Sequence, residues 1–227
     1  MKMGPDIETD DLIFLVDPSN TKSYPGSGTS ATDMIGKKVG ALTSGATFEN
    51  INGGVFDLDG VDDYINMGDH DDLEFASSAQ FTREVWFRRT ASTADEGHYF
   101  LIYQQRRTNI GLGWATGGVG ADNEIYSYIQ ATATLTGVVT ELNRWYCVAL
   151  TYNNTSLKIY VDGVEKASAT RTAESMSGYD VQFGGPFGNY FNGNIGPVKI
   201  YNRALSAAEV LQNYNQLKSR FGLWVEE

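Results

Sequence analysis

The stretch from Arg144 to Gly163, RWYCVALTYNNTSLKIYVDG, constrains the fold of this chain more than any other. Its first arm is apolar on both alternating faces, which is typical of a strand that is covered on two sides. Asn153-Asn154 supplies a turn, because Asn tolerates positive φ, and Asp162-Gly163 turns the chain again after a second alternating arm. The stretch therefore predicts a hairpin of two long strands, the first of them central in a sheet.

Composition extends this prediction to the whole chain. The 227 residues are 41% hydrophobic, which is enough for one sizeable core, and they include 25 glycines but only 5 prolines. Strand-like segments punctuated by N-G, D-G and G-G pairs favour a turn-dense antiparallel protein over one built of βαβ units. We therefore predict an all-β, two-sheet antiparallel sandwich. It forms a single domain over 1–227, with a short N-terminal arm, 1–10, and a C-terminal tail, 219–227.

One segment near the C-terminus has a helical pattern instead. Ser206 can cap a helix, and Glu209 lies three residues further on, as in a capping box. Val210, Tyr214 and Leu217 then recur near helical spacing. The pattern predicts one short helix around 206–218.

Charge and cysteine content argue against a nucleic-acid partner and against disulfides within the chain. Seventeen Lys and Arg against 28 Asp and Glu give a formal net charge of −11, whereas nucleic-acid binding needs clustered basic residues. Cys147 is the single cysteine, so no disulfide can form within the chain. The longest N-terminal apolar run is Leu12 to Val16 behind acidic residues, which predicts neither a secretion signal nor membrane insertion. We expect a protein that is assembled inside a cell and exposed later, as in a virus particle.

Several phrases of the chain resemble one family. Besides the hairpin, they are FDLDGVDDYI over 56–65, FTREVWF over 81–87 and NGNIGPVKIYNRALSAAEV over 192–210. These are similar to phrases of laminin G-like jelly-roll domains of the concanavalin A-like lectin and glucanase superfamily. The opening LIFLVDPSNTKSYPGSGT over 12–29 is similar to such domains in bacteriophage structural proteins. The resemblance implies a concanavalin A-like jelly roll.

The resemblance also implies a function. It points to a non-catalytic bacteriophage virion structural protein, a capsid decoration or a tail or fibre component, exposed on the particle after assembly in the host cytoplasm. Its expected partners are other virion proteins and host-surface glycans, and we expect it to be oligomeric or particle-bound. One alternative is a carbohydrate-binding module or lectin of a cellular microbe. Another is a divergent glycoside hydrolase, but the E-x-D-x-x-E strand of the superfamily's glycosidases is absent, so we predict no enzyme.

Four residues are candidates for ligand binding. Trp86 and Arg88 share one face of a predicted strand, where an aromatic ring can stack on a sugar and a charged group can bond hydroxyls. The alternative is that Trp86 lies in a covered layer with Arg88 and Glu84 paired over it. Trp114 and Tyr126 flank a glycine-rich loop and could form the walls of a second site.

Carboxylates at the predicted turn after residue 58 are candidates for a metal site. Asp59, Asp62 and Asp63 lie close together in sequence and could hold Ca²⁺ through oxygen ligands, although turn acids are often only solvated. The resemblance also raises the question of a structural calcium elsewhere. In this family an Asp usually follows the position of Ile195, and in several members that Asp ligates calcium. Gly196 and Pro197 stand there instead, so the family's calcium is not expected and no cofactor is predicted to be required.

Overall fold

The computed structural model describes residues 7–76, 79–91, 99–104, 108–113, 119–129, 132–172, 175, 177–185 and 190–223. Strands dominate these residues, with one α-helix and one short 3-10 turn. Numbered in chain order, the strands β1 to β16 span Leu12–Val16, Ser30–Thr32, Val39–Thr43, Thr47–Glu49, Val55–Asp59, Tyr64–Asn66, Gln80–Arg89, Tyr99–Ile102, Thr108–Leu112, Glu124–Ile129, Thr132–Val139, Trp145–Asn153, Ser156–Val161, Val164–Thr170, Gln182–Phe183 and Asn192–Tyr201. The helix α1 spans Ala207–Leu217, and the 3-10 turn spans Asp71–Leu73.

The main sheet is antiparallel and runs in the order β14-β13-β12-β7-β16-β5-β4, with β1 also paired to β16. The predicted hairpin forms β12 and β13, and β12 lies between β13 and β7. Asn154 adopts a φ of 81° at one turn and Asp162 a φ of 53° at the other, as the Asn and Asp-Gly turns require. The prediction of a central strand covered on both faces is confirmed, because residues 145–152 are all buried.

Two smaller sheets form the second layer. Their orders are β11-β10-β9-β8 and β15-β6-β3-β2, and a bridge between Tyr103 and Gln182 joins them. A large apolar core contains buried side chains of the main sheet and of both smaller sheets, among them Phe87, Ile65 and Ile110. We call the face of the main sheet that lies on this core its inner face. The predicted sandwich of antiparallel sheets is confirmed.

The opposite, outer face of the main sheet is covered by α1 and the segment after it. The capping box predicted from the sequence is present, with the Ser206 side chain accepting the Glu209 amide and the Glu209 carboxylate accepting the Ser206 amide. Phe221, in the predicted tail, is buried against Trp86 and Trp145. The helix and the tail therefore close the outer face of the sheet.

A buried ion pair lies under this cover. The Lys199 ammonium binds the Glu84 carboxylate, and both side chains are only 1% exposed. Asn213 of α1 donates to the other Glu84 oxygen at 3.0 Å, and its own oxygen accepts the amide of Glu8 at 2.8 Å. This network connects the sheet, the helix and the described part of the N-terminal arm. No helix in the described part of the chain is long and apolar enough to cross a bilayer.

Candidate functional site

Trp86 lies on the outer face of the main sheet, as strand alternation predicts, but it is fully buried. Its ring stacks on Phe221 at 4.5 Å and on Tyr214 at 5.7 Å, with interplanar angles of 19° and 6°. Aromatic side chains of this protein therefore occupy the faces that a sugar would need. The prediction of a sugar-binding role for Trp86 is corrected: its ring belongs to the packing beneath α1.

Arg88 is held in a local network rather than over Trp86. Its Nε and Nη2 atoms donate to Asn194 Oδ1 at 3.0 and 2.7 Å, and Asn194 in turn donates to Asp57 and Glu49. Glu84 pairs with Lys199 instead, so the suggested Arg88–Glu84 pair is also corrected. Arg88 keeps 23% of its side chain exposed and remains the most accessible of the described ligand candidates.

The second pair of candidates does not form an open site in the described residues. Tyr126 is fully buried and packs with Phe100 and Tyr128 at ring distances of 6.5 and 5.1 Å. A ligand cannot reach its ring, so its predicted role is corrected as well. Burial raises the pKa of the Tyr126 phenol well above its usual range. Trp114 lies outside the described residues.

The strand carboxylates Glu84 and Glu124 have structural partners. Glu84 belongs to the buried ion pair described above. Glu124 accepts the amide of Ala121 at 2.9 Å with one oxygen and the amide of Gly137 at 2.6 Å with the other. Each side chain thus satisfies groups of the fold itself.

An open groove lies between the loop before β2 and the hairpin of β3 and β4. It has a volume of about 600 Å³, within the usual range for small-ligand sites. Its lining residues are Tyr24, Gly26, Ser27, Gly28, Thr29, Leu42, Ser44, Gly45, Ala46, Thr47 and Phe48. Sequence analysis missed this groove, which combines aromatic rings with many hydroxyl and backbone groups.

Two aromatic residues fix the shape of the groove. The Tyr24 and Phe48 rings stack at 5.3 Å, and Tyr24 meets Phe56 of the core edge-on at 5.4 Å. The Tyr24 hydroxyl donates to the carbonyl of Gly28 at 2.7 Å and so closes the loop on itself. Gly28 has a φ of 88° and no atom near its missing side chain, which leaves the rim of the groove open. A Gly/Ser-rich loop flanked by aromatics was the only sequence signal of this site.

The predicted metal ligands come together, because Asp59, Asp62 and Asp63 each place an oxygen within 4.8 Å of the others. They lie at the turn between β5 and β6, beside the groove. Asp63 Oδ1 is 2.9 Å from the point where a Cβ atom of Gly45 would stand. Gly45 lines the groove, so the carboxylate cluster and the groove share one wall.

Gly196 occupies a place that does not suit a metal. A Cβ atom there would lie 3.1 Å from a Phe221 ring carbon and 3.2 Å from Trp86 Cβ. Carbon atoms do not ligate calcium, so a carboxylate at this position would enter the apolar packing beneath the tail. Pro197 follows at an irregularity in the pairing of β16 with β7, where a missing N–H is tolerated.

This arrangement is that of a lectin-like jelly-roll domain. The family described as the concanavalin A-like lectin/glucanases superfamily has a model that matches residues 59–211. The chain therefore belongs to this family, and the resemblance of its phrases within these residues to the concanavalin A-like superfamily is confirmed. No curated protein sequence matches the chain.

Several solved structures share the fold. Domain 4 of AbnA, a GH43 extracellular arabinanase from Geobacillus stearothermophilus in complex with arabinotriose, has a TM-score of 0.67 and 19% identity, covering 90% of this chain and 98% of that one. The binding domain of Paraclostridial Mosquitocidal Protein 1 has a TM-score of 0.71 and 15% identity, with coverages of 91% and 52%. For Trypanosoma rangeli sialidase in complex with the inhibitor DANA, the TM-score is 0.67, the identity 15% and the coverages 93% and 34%. The chain spans about half of the toxin structure and a third of the sialidase, and at these identities the likeness concerns the fold alone.

Proposed function

We propose that this chain is a non-catalytic attachment module that binds glycans through the groove between the loop before β2 and the β3–β4 hairpin. The observation that carries the proposal is the groove itself, which presents hydroxyl groups around an aromatic pair. Sugars are bound in such places because a ring supports their apolar face while polar groups meet their hydroxyls. The solved arabinanase domain with the same fold holds a sugar oligomer, arabinotriose, which is consistent with this use of the fold.

The polar groups of the groove are placed for such contacts. Ser27, Thr29, Ser44 and Thr47 are all exposed, and hydroxyls both donate and accept hydrogen bonds. Phe48 is half-buried and stands on Tyr24, so it offers a supported ring surface at the wall. These features favour a neutral polyhydroxyl ligand.

Binding without catalysis is favoured because the strand carboxylates Glu84 and Glu124 are already bound to other groups of the fold. A glycosidase needs two carboxylates about 5 to 9 Å apart across the scissile bond. Glu84 is sealed beneath α1 with Lys199, and Glu124 is bound to two backbone amides. The hydrolase alternative would therefore need other carboxylates.

We further propose that the module belongs to a bacteriophage virion, as a capsid decoration or a tail or fibre component that contacts other virion proteins. The support is the resemblance of residues 12–29 and 192–210 to laminin G-like domains of phage structural proteins. A carbohydrate-binding module of a cellular microbe is the alternative. It would use the same groove but would not attach to particles.

A glycan array with the full 227-residue chain, run with calcium and with chelator, tests the glycan proposal. Thr47→Arg places a long side chain in the groove, and Thr132→Arg makes the same change at an exposed position of the edge strand β11. We expect saturable binding that Thr47→Arg abolishes and Thr132→Arg preserves. Binding that survives Thr47→Arg would contradict the groove assignment.

Light scattering and particle attachment test the virion proposal separately. A defined oligomer, or stable association with phage particles, is the expected result. A monomer that binds glycans but no particle would favour the carbohydrate-binding module instead. A particle-bound protein without glycan binding would make the jelly roll a structural part only.

A further inference from the structure

The turn between β5 and β6 carries three carboxylates whose spacing suits one cation. The oxygens offered by Asp59, Asp62 and Asp63 lie within 4.8 Å of one another. Two ligands that are each about 2.4 Å from a calcium ion are at most about 4.8 Å apart, so the three oxygens meet the spacing that a shared ion requires. Spacing alone has little weight, because solvated acids are common in turns.

Asp63 distinguishes this turn from a solvated acidic turn. Only 3% of its surface is exposed. Its Oδ2 accepts the amide of Asp59 at 3.0 Å, while its Oδ1 is buried and receives no hydrogen bond from any described residue. A buried carboxylate oxygen is unfavourable unless a hydrogen-bond donor, a proton or a cation satisfies it. The unpartnered oxygen is therefore a place where a bound cation would be favourable.

Basic side chains do not supply that charge. Throughout the described ranges, no Lys or Arg nitrogen lies within 4.0 Å of these three carboxylates. Burial raises the pKa of the Asp63 carboxyl; the Asp59 amide lowers it, and the charges of Asp59 and Asp62 raise it again. The turn concentrates negative charge in a chain whose formal net charge is already −11, and such a field attracts cations.

Gly45 leaves space beside the unpartnered oxygen. A Cβ atom on Gly45 would lie 2.9 Å from Asp63 Oδ1, and the three nearest atoms beyond its chain neighbours all belong to the Asp63 carboxyl group. Gly45 is exposed, so Oδ1 lies behind an open glycine and not behind a bulky side chain.

We propose that Asp59, Asp62 and Asp63 bind a hard divalent cation, calcium being the expected one, with Asp63 as its buried ligand. Calcium takes about six to eight oxygen ligands, and the exposed side of the turn leaves the others to water. The ion holds the β5–β6 turn against Gly45 and so stabilises the β3–β4 wall of the groove. The proposal is independent of glycan binding, since the ion requires no sugar.

Calorimetric titration and thermal melting of the chelator-treated full chain test the site, with CaCl₂ and MgCl₂ as probes. Asp62→Asn removes one ligand at an exposed position and should leave the fold intact. Asp10→Asn, an exposed acid on the arm, removes the same charge elsewhere. We expect one equivalent of bound calcium and a raised Tm in the parent and in Asp10→Asn, and at least tenfold weaker binding in Asp62→Asn.

Asp63→Asn provides the second variant, because its amide can fill the same space without the charge. We expect it to lose calcium binding while its Tm in chelator stays equal to or above that of the parent, since the unfavourable buried charge is gone. No binding of either cation by the parent would overturn the proposal. Equal binding by the parent and Asp62→Asn would overturn it as well.

Discussion

The buried ion pair beneath α1 gives the sharpest stability prediction. Lys199→Met removes the ammonium and keeps most of the side-chain volume, so the Glu84 carboxylate stays buried without its cation. Both side chains are 1% exposed, so water cannot replace the lost partner. Asn213, at 3.0 Å from Glu84, is the remaining hydrogen-bond donor from α1.

The magnitude follows from the cost of breaking such a pair. Removing one partner of a buried ion pair destabilises a protein by about 3–5 kcal/mol, because a buried charge is left uncompensated. For a chain of this size, each kcal/mol lowers the Tm by about 2–4 °C, so we expect a fall of about 6–20 °C. Replacing both members, Glu84→Leu with Lys199→Met, leaves no buried charge and should recover most of the loss. Asn213 then loses one acceptor, at a cost of about 1 kcal/mol.

Urea denaturation of the parent, both single variants and the double variant measures these energies in one thermodynamic cycle. Because each single substitution should cost about 3–5 kcal/mol and the double about 1 kcal/mol, the expected coupling between the two positions is at least about 5 kcal/mol. Additive effects of the two substitutions would refute the reasoning, because they would mean that neither charge depends on the other. A loss below about 1 kcal/mol in Lys199→Met would refute it too, since it would imply that water reaches Glu84.

Three further predictions concern α1 and its contacts. Ser206→Ala removes the helix cap and should cost about 1 kcal/mol in urea denaturation; an unchanged midpoint would contradict the capping role. Arg203 holds the pKa of Glu209 at about 2. The stability contributed by the ionised Glu209 carboxylate should therefore be present above its ordinary pKa of 4.5. Thermal melts should show this contribution being lost as the pH falls towards 2. An Arg203→Gln variant should show a weaker dependence, because only the Ser206 hydrogen bonds still lower that pKa. Trp86→Ala should cost about 3–5 kcal/mol, and its near-ultraviolet circular dichroism should report loosened packing; glycan binding lost without destabilisation would contradict its burial.

Local patterns predicted the central hairpin and the helix correctly. Alternating residues, the Asp162-Gly163 turn and the Ser206–Glu209 capping box act over a few residues, so the sequence alone contains them. The Asp59–Asp63 turn is equally local, and its carboxylates come together as predicted. Whether they hold a cation depends on the burial of Asp63, which no local pattern encodes.

The wrong prediction for Trp86 arose because residues distant in sequence cover its side chain. Alternation placed Trp86 and Arg88 on one face of a strand correctly, but it could not show what lies over that face. The cover comes from Tyr214 and Phe221, more than a hundred residues further along the chain. Whether one face of a strand is exposed thus depends on whether a distant segment of the chain packs over it.

The groove was missed for a related reason. Its two walls are separate turns, one ending at Thr29 and the other between β3 and β4. The sequence of each turn alone predicts only a polar loop. Pairing of β2 with β3 and the stacking of Tyr24 on Phe48 bring them together. A concave site of this kind exists only after the sheets have formed.

The position of β16 governs the order in which the protein can be built. Although it spans Asn192–Tyr201, it lies between β7 on one side and β5 and β1 on the other. During synthesis, β7 and β5 each keep one edge unpaired until residues 192–201 have left the ribosome. Such long-range pairing is slow and leaves strand edges open to wrong partners. A cell that makes this protein in quantity has to protect a sheet whose strands β7 and β5 still lack the strand that lies between them.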